Sequence, residues 1–152
     1  MKTRILLLAF MVSILSVSCI STKSTIKNID DNAPDLVLTK NNVFQISEYS
    51  KDKKYGYHKD YPINIYYKST KNDSINQPRF FDALSGPNGE KIFYKKLENC
   101  CPFPSKKSEF GAALLQVYEV KWLGQKKPVK LYVNIYEKSV LMVPVGFTLK
   151  QF

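Results

Sequence analysis

Apolar and polar positions alternate most cleanly over residues 129–136. Val129, Leu131, Val133 and Ile135 take one parity, and Lys130, Tyr132, Asn134 and Tyr136 take the other. Successive side chains of a strand leave on opposite faces, so this pattern predicts a half-buried strand. Upstream, residues 113–122, ALLQVYEVKW, form a longer apolar-rich strand, and Gly124-Gln125-Lys126-Lys127-Pro128 supplies the connection. The two predict a β-hairpin at the centre of a sheet. Ile63, Ile65 and Tyr67 alternate with Asn64, Tyr66 and Lys68, which predicts another half-buried strand. Leu36-Val37-Leu38 and Val43-Phe44-Gln45-Ile46 flank an Asn41-Asn42 turn and read as a first hairpin. Glu90 to Glu98 reads as a strand that delivers the chain to Cys100. Leu141-Met142-Val143 and Gly146 to Leu149 read as a last strand; Pro144 removes a backbone donor there, which suits an edge or a bend.

Helical spacing is found at Pro78-Arg79-Phe80-Phe81-Asp82-Ala83-Leu84. Proline suits a first helical turn, Phe80, Phe81 and Leu84 share one face, and Ser85-Gly86-Pro87-Asn88-Gly89 ends the element in a turn. The apolar face of the hairpin can cover this helix. The expected architecture is therefore α+β and mostly β: an antiparallel sheet of about seven short strands with one short helix, occupying residues 35–152 as a single domain. A small β-sandwich is the alternative.

The first 18 residues follow a different pattern. Lys2 and Arg4 precede an apolar run that begins at Ile5 and continues through Leu15, then Ser16-Val17-Ser18-Cys19. This is the layout of a secretory signal peptide, and the run is too short for a comfortable bilayer span of about 20 apolar residues. Cys19 stands where a small residue normally marks cleavage. The segment resembles a bacterial lipoprotein signal, in which cleavage precedes a cysteine that takes the lipid. Ser18 and Val17 fit that pattern; Ser16 departs from it, with Leu15 one place early. An ordinary cleaved signal with an incidental cysteine and an uncleaved anchor are the other readings. Cleavage before Cys19 leaves 134 of the 152 residues, and the loss of Lys2 and Arg4 lowers the net charge from +10 to +8. Such a basic domain can lean on anionic lipid head groups or on peptidoglycan carboxylates, though scattered lysines are also the default solvated surface. No nucleic-acid recognition motif is present. Residues 19–34 carry no periodic apolar face and read as a lipidated N-terminus with a flexible tether.

Candidate chemistry is sparse. His58, the one histidine, sits among Lys59, Asp60 and tyrosines in a predicted loop, with no nucleophile nearby in sequence. Pro87 removes an amide donor from the glycine-containing turn, so a phosphate cradle is disfavoured. Five tyrosines within residues 55–67 suit either a ligand surface or the rim of a core. There remains Asn99-Cys100-Cys101-Pro102-Phe103-Pro104. With Cys19 lipidated, Cys100 and Cys101 form an even pair in an oxidising compartment. Adjacent Cα atoms lie about 3.8 Å apart, closer than most disulfides prefer, so a vicinal bridge is strained and easily reduced. Pro102 biases Cys101 towards extended backbone, which would send the two side chains to opposite faces. Two unbonded thiols, a vicinal disulfide, a soft-metal site with Met142, and intermolecular bridging all stay open at this level.

The leader with Cys19, YGYHKDYPI (55–63), FFDALSGPNGEKIFYKKLENCCPF (80–103) and LLQVYEVKWLGQKKPVKLYVNIYE (114–137) together resemble a group of small exported lipoproteins in Bacteroidota. In that group a GPNGE…Y…CCPF core is followed by VYE…G…KPV.LY.N.Y. The resemblance implies a lipid anchor on Cys19, and the lack of an acidic run after Cys19 implies the periplasmic face of the outer membrane. Some members are named 2-dehydro-3-deoxyphosphooctonate aldolase, which implies carbon–carbon bond chemistry in a (β/α)₈ barrel of roughly 250 residues. This chain is shorter, lacks strand–helix alternation and a phosphate loop, and singles out no lysine for a Schiff base. The expectation is a non-enzymatic, cofactor-free envelope protein that binds an envelope protein or polymer. A thiol-redox or metal-handling lipoprotein is the alternative, and the aldolase is the remote one.

Overall fold

The computed structural model describes residues 24–71 and 74–152. Among these residues the strands are β1 (Glu48–Tyr49), β2 (Ile63–Asn64), β3 (Leu84–Ser85), β4 (Ile92–Pro104), β5 (Ala112–Trp122), β6 (Val129–Asn134), β7 (Met142–Val143) and β8 (Thr148–Leu149), and a helix, α1 (Asn76–Phe81), lies between β2 and β3. The protein is α+β and mostly β, with eight strands among the described residues where about seven were expected. Four strands form the main sheet in the order β2-β6-β5-β4, and two short pairs, β1-β7 and β3-β8, lie apart from it. That arrangement is an α+β sheet with satellites rather than a β-sandwich.

The predicted central hairpin is present. β5 pairs antiparallel with β6, Tyr118 opposite Leu131 and Val120 opposite Val129. On this face Tyr118, Val120, Leu131 and Val133 are buried and join Phe80, Phe81 and Ile63 in the main hydrophobic cluster. α1 supplies the phenylalanines. It spans six residues and begins at Asn76, two before the expected Pro78. The buried Asn76 side chain explains the earlier start: its Oδ1 accepts from Thr70 Oγ1 at 2.7 Å and from Arg79 Nη1 at 3.1 Å. Pro78 sits in the first turn, where its missing N–H leaves no helical bond unmade. The helix stops before Leu84, because Leu84 pairs with Leu149 in β3-β8.

Two features depart from the expected antiparallel pattern. β2 runs parallel to β6, and β1 runs parallel to β7. The alternation over 63–68 therefore shortens to Ile63–Asn64, and its polar parity is buried as well. Asn64 faces Asn134 across the parallel pair, with Asn134 Nδ2 donating to Asn64 Oδ1 at 2.9 Å and Asn64 Nδ2 donating to Ser139 Oγ at 3.1 Å. Buried amides persist when they satisfy one another, which is what hides this strand from a simple alternation rule. The expected first hairpin contracts to a single bridge between Leu38 and Phe44 around Asn42, whose φ is 58°. The Gly86–Gly89 stretch is a turn, as expected. Gly86 N–H donates to Glu90 O at 2.8 Å, and a Cβ on Gly86 would stand 3.1 Å from Trp122 Cγ. Gly89 takes a φ of 86°, open to glycine at no steric cost.

β4 differs most from expectation. It does not end at Glu98 but continues through the double cysteine to Pro104, 13 residues in all. It is the edge strand of the main sheet, so Pro102 and Pro104 need not donate to an outer neighbour. They also blunt an edge that would otherwise present a long row of free amides.

Candidate functional site

The cysteine pair lies within β4 at an irregularity of the ladder. Cys100 stands opposite Leu115 and Pro102 opposite Leu114, which leaves Cys101 as the extra residue of a β-bulge. Cys101 has a φ of 59°, in the left-handed region. The expectation that Pro102 would hold Cys101 extended is thus corrected. Proline excludes the right-handed helical region from the residue before it, and the bulge takes the left-handed well instead. That turn of the backbone brings the two side chains together, and Cys100 and Cys101 are joined in a disulfide. The opposite-face arrangement of two thiols is not adopted. Met142 packs against the main cluster while the cysteines pack against the smaller one, so the soft-metal grouping does not assemble. Among the described residues no group of three or more His, Cys, Asp or Glu is placed to hold a metal.

The bulge makes a specific forecast. A bridge between neighbours closes almost no loop, so it restrains the unfolded chain little. The role expected of it is to hold Cys101 at positive φ. Cys100→Ala/Cys101→Gly, which keeps that backbone accessible, should unfold within about 1 kcal/mol of the parent in urea. Cys100→Ala/Cys101→Val should lose at least about 1 kcal/mol more, since a β-branched residue resists the left-handed region. Equal midpoints for the two variants would show that the bulge is not what the pair maintains.

A second, smaller apolar cluster surrounds the pair on the sheet face opposite the main core. Phe103, Ala113 and Leu115 are buried there, Cys100 and Cys101 pack against them, and Ile26 from the N-terminal segment completes the cluster. Residues 24–34, expected to be a flexible tether, are instead docked on the domain. Lys27 N–H donates to Asp60 O and Asp30 N–H to Lys138 O, each at 2.8 Å. Asn28 Nδ2 donates to Pro62 O at 2.7 Å. Ion pairs tie down the far end of this strap: Lys107 Nζ lies 2.7 Å from Asp31 Oδ1 and 3.4 Å from Glu137 Oε2, and Lys138 Nζ lies 2.8 Å from Asp35 Oδ1. Glu137 is buried and accepts from Ser105 Oγ at 2.5 Å. Cys19 and residues 1–18 lie outside the described residues.

Charge holds the strap in a pH-dependent way. The hydrogen bond and charge of Lys107 keep the Asp31 carboxyl below its ordinary range, and Lys138 does the same to Asp35. Burial works against the Lys107 ammonium, but Asp31 and Glu137 outweigh it and raise its pKa. A carboxyl depressed in the folded state contributes stability that is present above its unfolded value, near 3.8, and is lost as pH falls through the folded one. Both carboxyls are exposed, so the contribution is small and local. The amides of Lys27 and Asp30 should therefore lose hydrogen-exchange protection as pH falls from about 3.8 through the lowered pKa values of Asp31 and Asp35, before the amides of β5 do. Protection of the strap that stays unchanged down to about pH 2, where the carboxyls are protonated in the unfolded chain, would remove the ion pairs as its fastening.

The other candidates stay apart from this region or serve structure. His58 is half exposed, its Nδ1 accepts from Asp60 N–H at 3.2 Å, and its ring meets Tyr61 edge-on. No nucleophile approaches it among the described contacts. Tyr55 is buried and accepts the Met142 N–H at 3.1 Å; burial pushes its phenol well up. Tyr57 donates to Val145 O, and burial pushes it up to about 12. Phenols held protonated at neutral pH make poor bases and nucleophiles. Between the strap and the bulge lies an open cleft of about 530 Å³, lined by Ser24, Lys27, Lys59, Cys101, Pro102 and Phe103 among others.

No family model matches the chain, and no curated protein and no solved structure is similar to it. The residues that sequence reasoning missed are Ile26, Asp31, Ser105, Lys107 and Glu137. Ile26 and Ile29, isolated apolar residues three apart in a polar stretch, were the one available signal for the docked strap.

Proposed function

We propose that this protein is a lipid-anchored cell-envelope protein, held through a lipid on Cys19 at the periplasmic face of the outer membrane, and that it acts as a non-enzymatic binding or accessory module. The observation that carries the reading is the layout of the first 19 residues: Lys2 and Arg4, a short apolar run, and Ser18-Cys19. The resemblance of residues 55–63, 80–103 and 114–137 to small Bacteroidota lipoproteins supports it. The residues with chemical potential support the non-enzymatic part, because His58, the tyrosines and the cysteine pair do not converge on one cavity with a base beside a nucleophile.

The vicinal disulfide favours a second reading, a thiol-redox lipoprotein using Cys100 and Cys101. The aldolase named for some members of the group this chain resembles finds little support: a sheet in the order β2-β6-β5-β4, with the six-residue α1 packed on it, is not a (β/α)₈ barrel. Intact-mass measurement of the protein extracted from the envelope tests the first reading. The expected mass begins at Cys19 and includes acyl chains; a mature chain without them would overturn the lipoprotein assignment.

A further inference from the structure

The docked strap has a consequence for orientation, which rests on the proposed lipid at Cys19. Ser24 is the first described residue, and only five peptide steps separate it from Cys19. A fully extended chain covers roughly 3.3–3.6 Å per residue, so Ser24 stands within about 18 Å of the lipidated residue. From Ile26 onward the chain is fastened to the domain, by Ile26 in the small cluster and by the Lys27 and Asp30 backbone bonds. Seven peptide steps from Cys19 to Ile26 keep the surface around Ser24 on the side of the domain nearest the proposed anchor, within reach of the bilayer.

That surface is basic. Lys27 Nζ and Lys54 Nζ both lie over the ring of Tyr61, 5.8 and 5.6 Å from its centre. Lys59 stands with Ser24 and Lys27 at the rim of the cleft whose floor includes Phe103 and Leu115. Its acidic members are Asp60, 3.8 Å from Lys27 and 3.9 Å from His58, and Asp52, whose Oδ1 accepts the Lys54 N–H at 2.8 Å. We infer that Lys27, Lys54 and Lys59, arranged around Tyr61, form the membrane-facing surface of this protein and bind anionic phospholipid head groups. Phosphate-bearing head groups attract lysines near a membrane surface, and the attraction fades within about 10 Å at 0.1 M salt, so only lysines on the side nearest the anchor take part. Tyrosine is suited to the same boundary, with an apolar ring and a polar tip.

The test uses the full-length expressed chain, extracted from the envelope and reconstituted into vesicles of phosphatidylglycerol with phosphatidylcholine, or of phosphatidylcholine alone. Lysine acetylation is read residue by residue by mass spectrometry, and the intact mass of the same sample reports the acyl chains. Labelling of Lys27, Lys54 and Lys59 should fall at least threefold in the anionic vesicles and recover in 0.5 M NaCl. Lys126 and Lys127, beyond the far end of β5, should label equally in both. An acylated protein whose lysines all label alike in the two vesicles overturns the orientation and leaves the anchor standing. Protection of the three lysines that needs isolated peptidoglycan and no lipid also overturns it. A mass without acyl chains removes the anchor, and the inference with it.

Discussion

Phe81→Ala lowers the unfolding free energy by about 3–5 kcal/mol, the range expected when a fully buried phenylalanine is truncated. Phe81 is wholly buried at the end of α1. Its ring stacks on Tyr94 of β4 at 4.5 Å, lies 4.8 Å from Tyr118 of β5, and meets Phe80 edge-on at 5.3 Å. One side chain thus joins the helix to both long strands. Truncation leaves a cavity bounded by three aromatic rings, which cannot collapse without moving a strand. Domains of this size are stable by only about 5–15 kcal/mol, so the variant forfeits a large fraction of the total. In urea the midpoint should fall with the slope unchanged. Leu97→Ala is the control: Leu97 is 39% exposed at the other irregularity of β4 and should shift stability by less than about 0.5 kcal/mol. A loss below 1 kcal/mol at Phe81 would mean that the helix is not keyed into the sheet as described.

The parts of this fold that were legible in sequence are those where one rule acts alone. In β6 and β5 burial on one face sets the alternation, and the hairpin follows from it. Phe80 and Phe81 next to Pro78 mark a helix because nothing competes with their spacing. The misread parts are places where two rules collide. At 63–64 a parallel partner lets Asn64 be buried against Asn134, so polarity no longer reports the solvent side. At Cys101 the proline restricts one region of backbone space, but which remaining region is used depends on the β5 ladder opposite, a long-range fact. The strap is misread for the same reason. Polar residues 24–34 look like linker composition, yet several of them find partners far along the chain, Asp31 with Lys107 and Asp30 with Lys138. Composition reports what a segment can do alone and is silent on a complementary surface elsewhere.

These corrections alter the meaning of the double cysteine. In sequence it stands out as a candidate reactive centre. In the fold it forms a bulge on an edge strand, against which the N-terminal segment packs through Ile26. The bulge therefore helps to seat the strap, from which the proposed anchor would depart. Under that reading, replacing the cysteines changes how the strap seats before it changes any redox chemistry, and the glycine and valine variants separate the two.

Cys19→Ser, in the full chain, is expected to move the protein out of the membrane fraction. Each buried CH₂ of an acyl chain contributes about 0.8 kcal/mol, and a single chain holds a protein only marginally, so stable attachment needs more than one. Serine offers no thiol for that modification. The basic surface around Tyr61 cannot substitute for it: a few lysines worth about 1 kcal/mol each near an anionic leaflet, screened by salt, give a weak and reversible association. The variant should therefore appear in the soluble fraction at 0.15 M salt, with residual membrane association only at low salt. Its domain should unfold at the parent's urea midpoint, because every fastening of the strap described above begins at or after Ser24. Retention of Cys19→Ser in the membrane fraction at high salt, with an intact mass that lacks the leader, would show that something other than a lipid on Cys19 holds this protein. Retention with the leader still attached would report only that the substitution blocks cleavage, and the intact mass of the retained form tells the two apart.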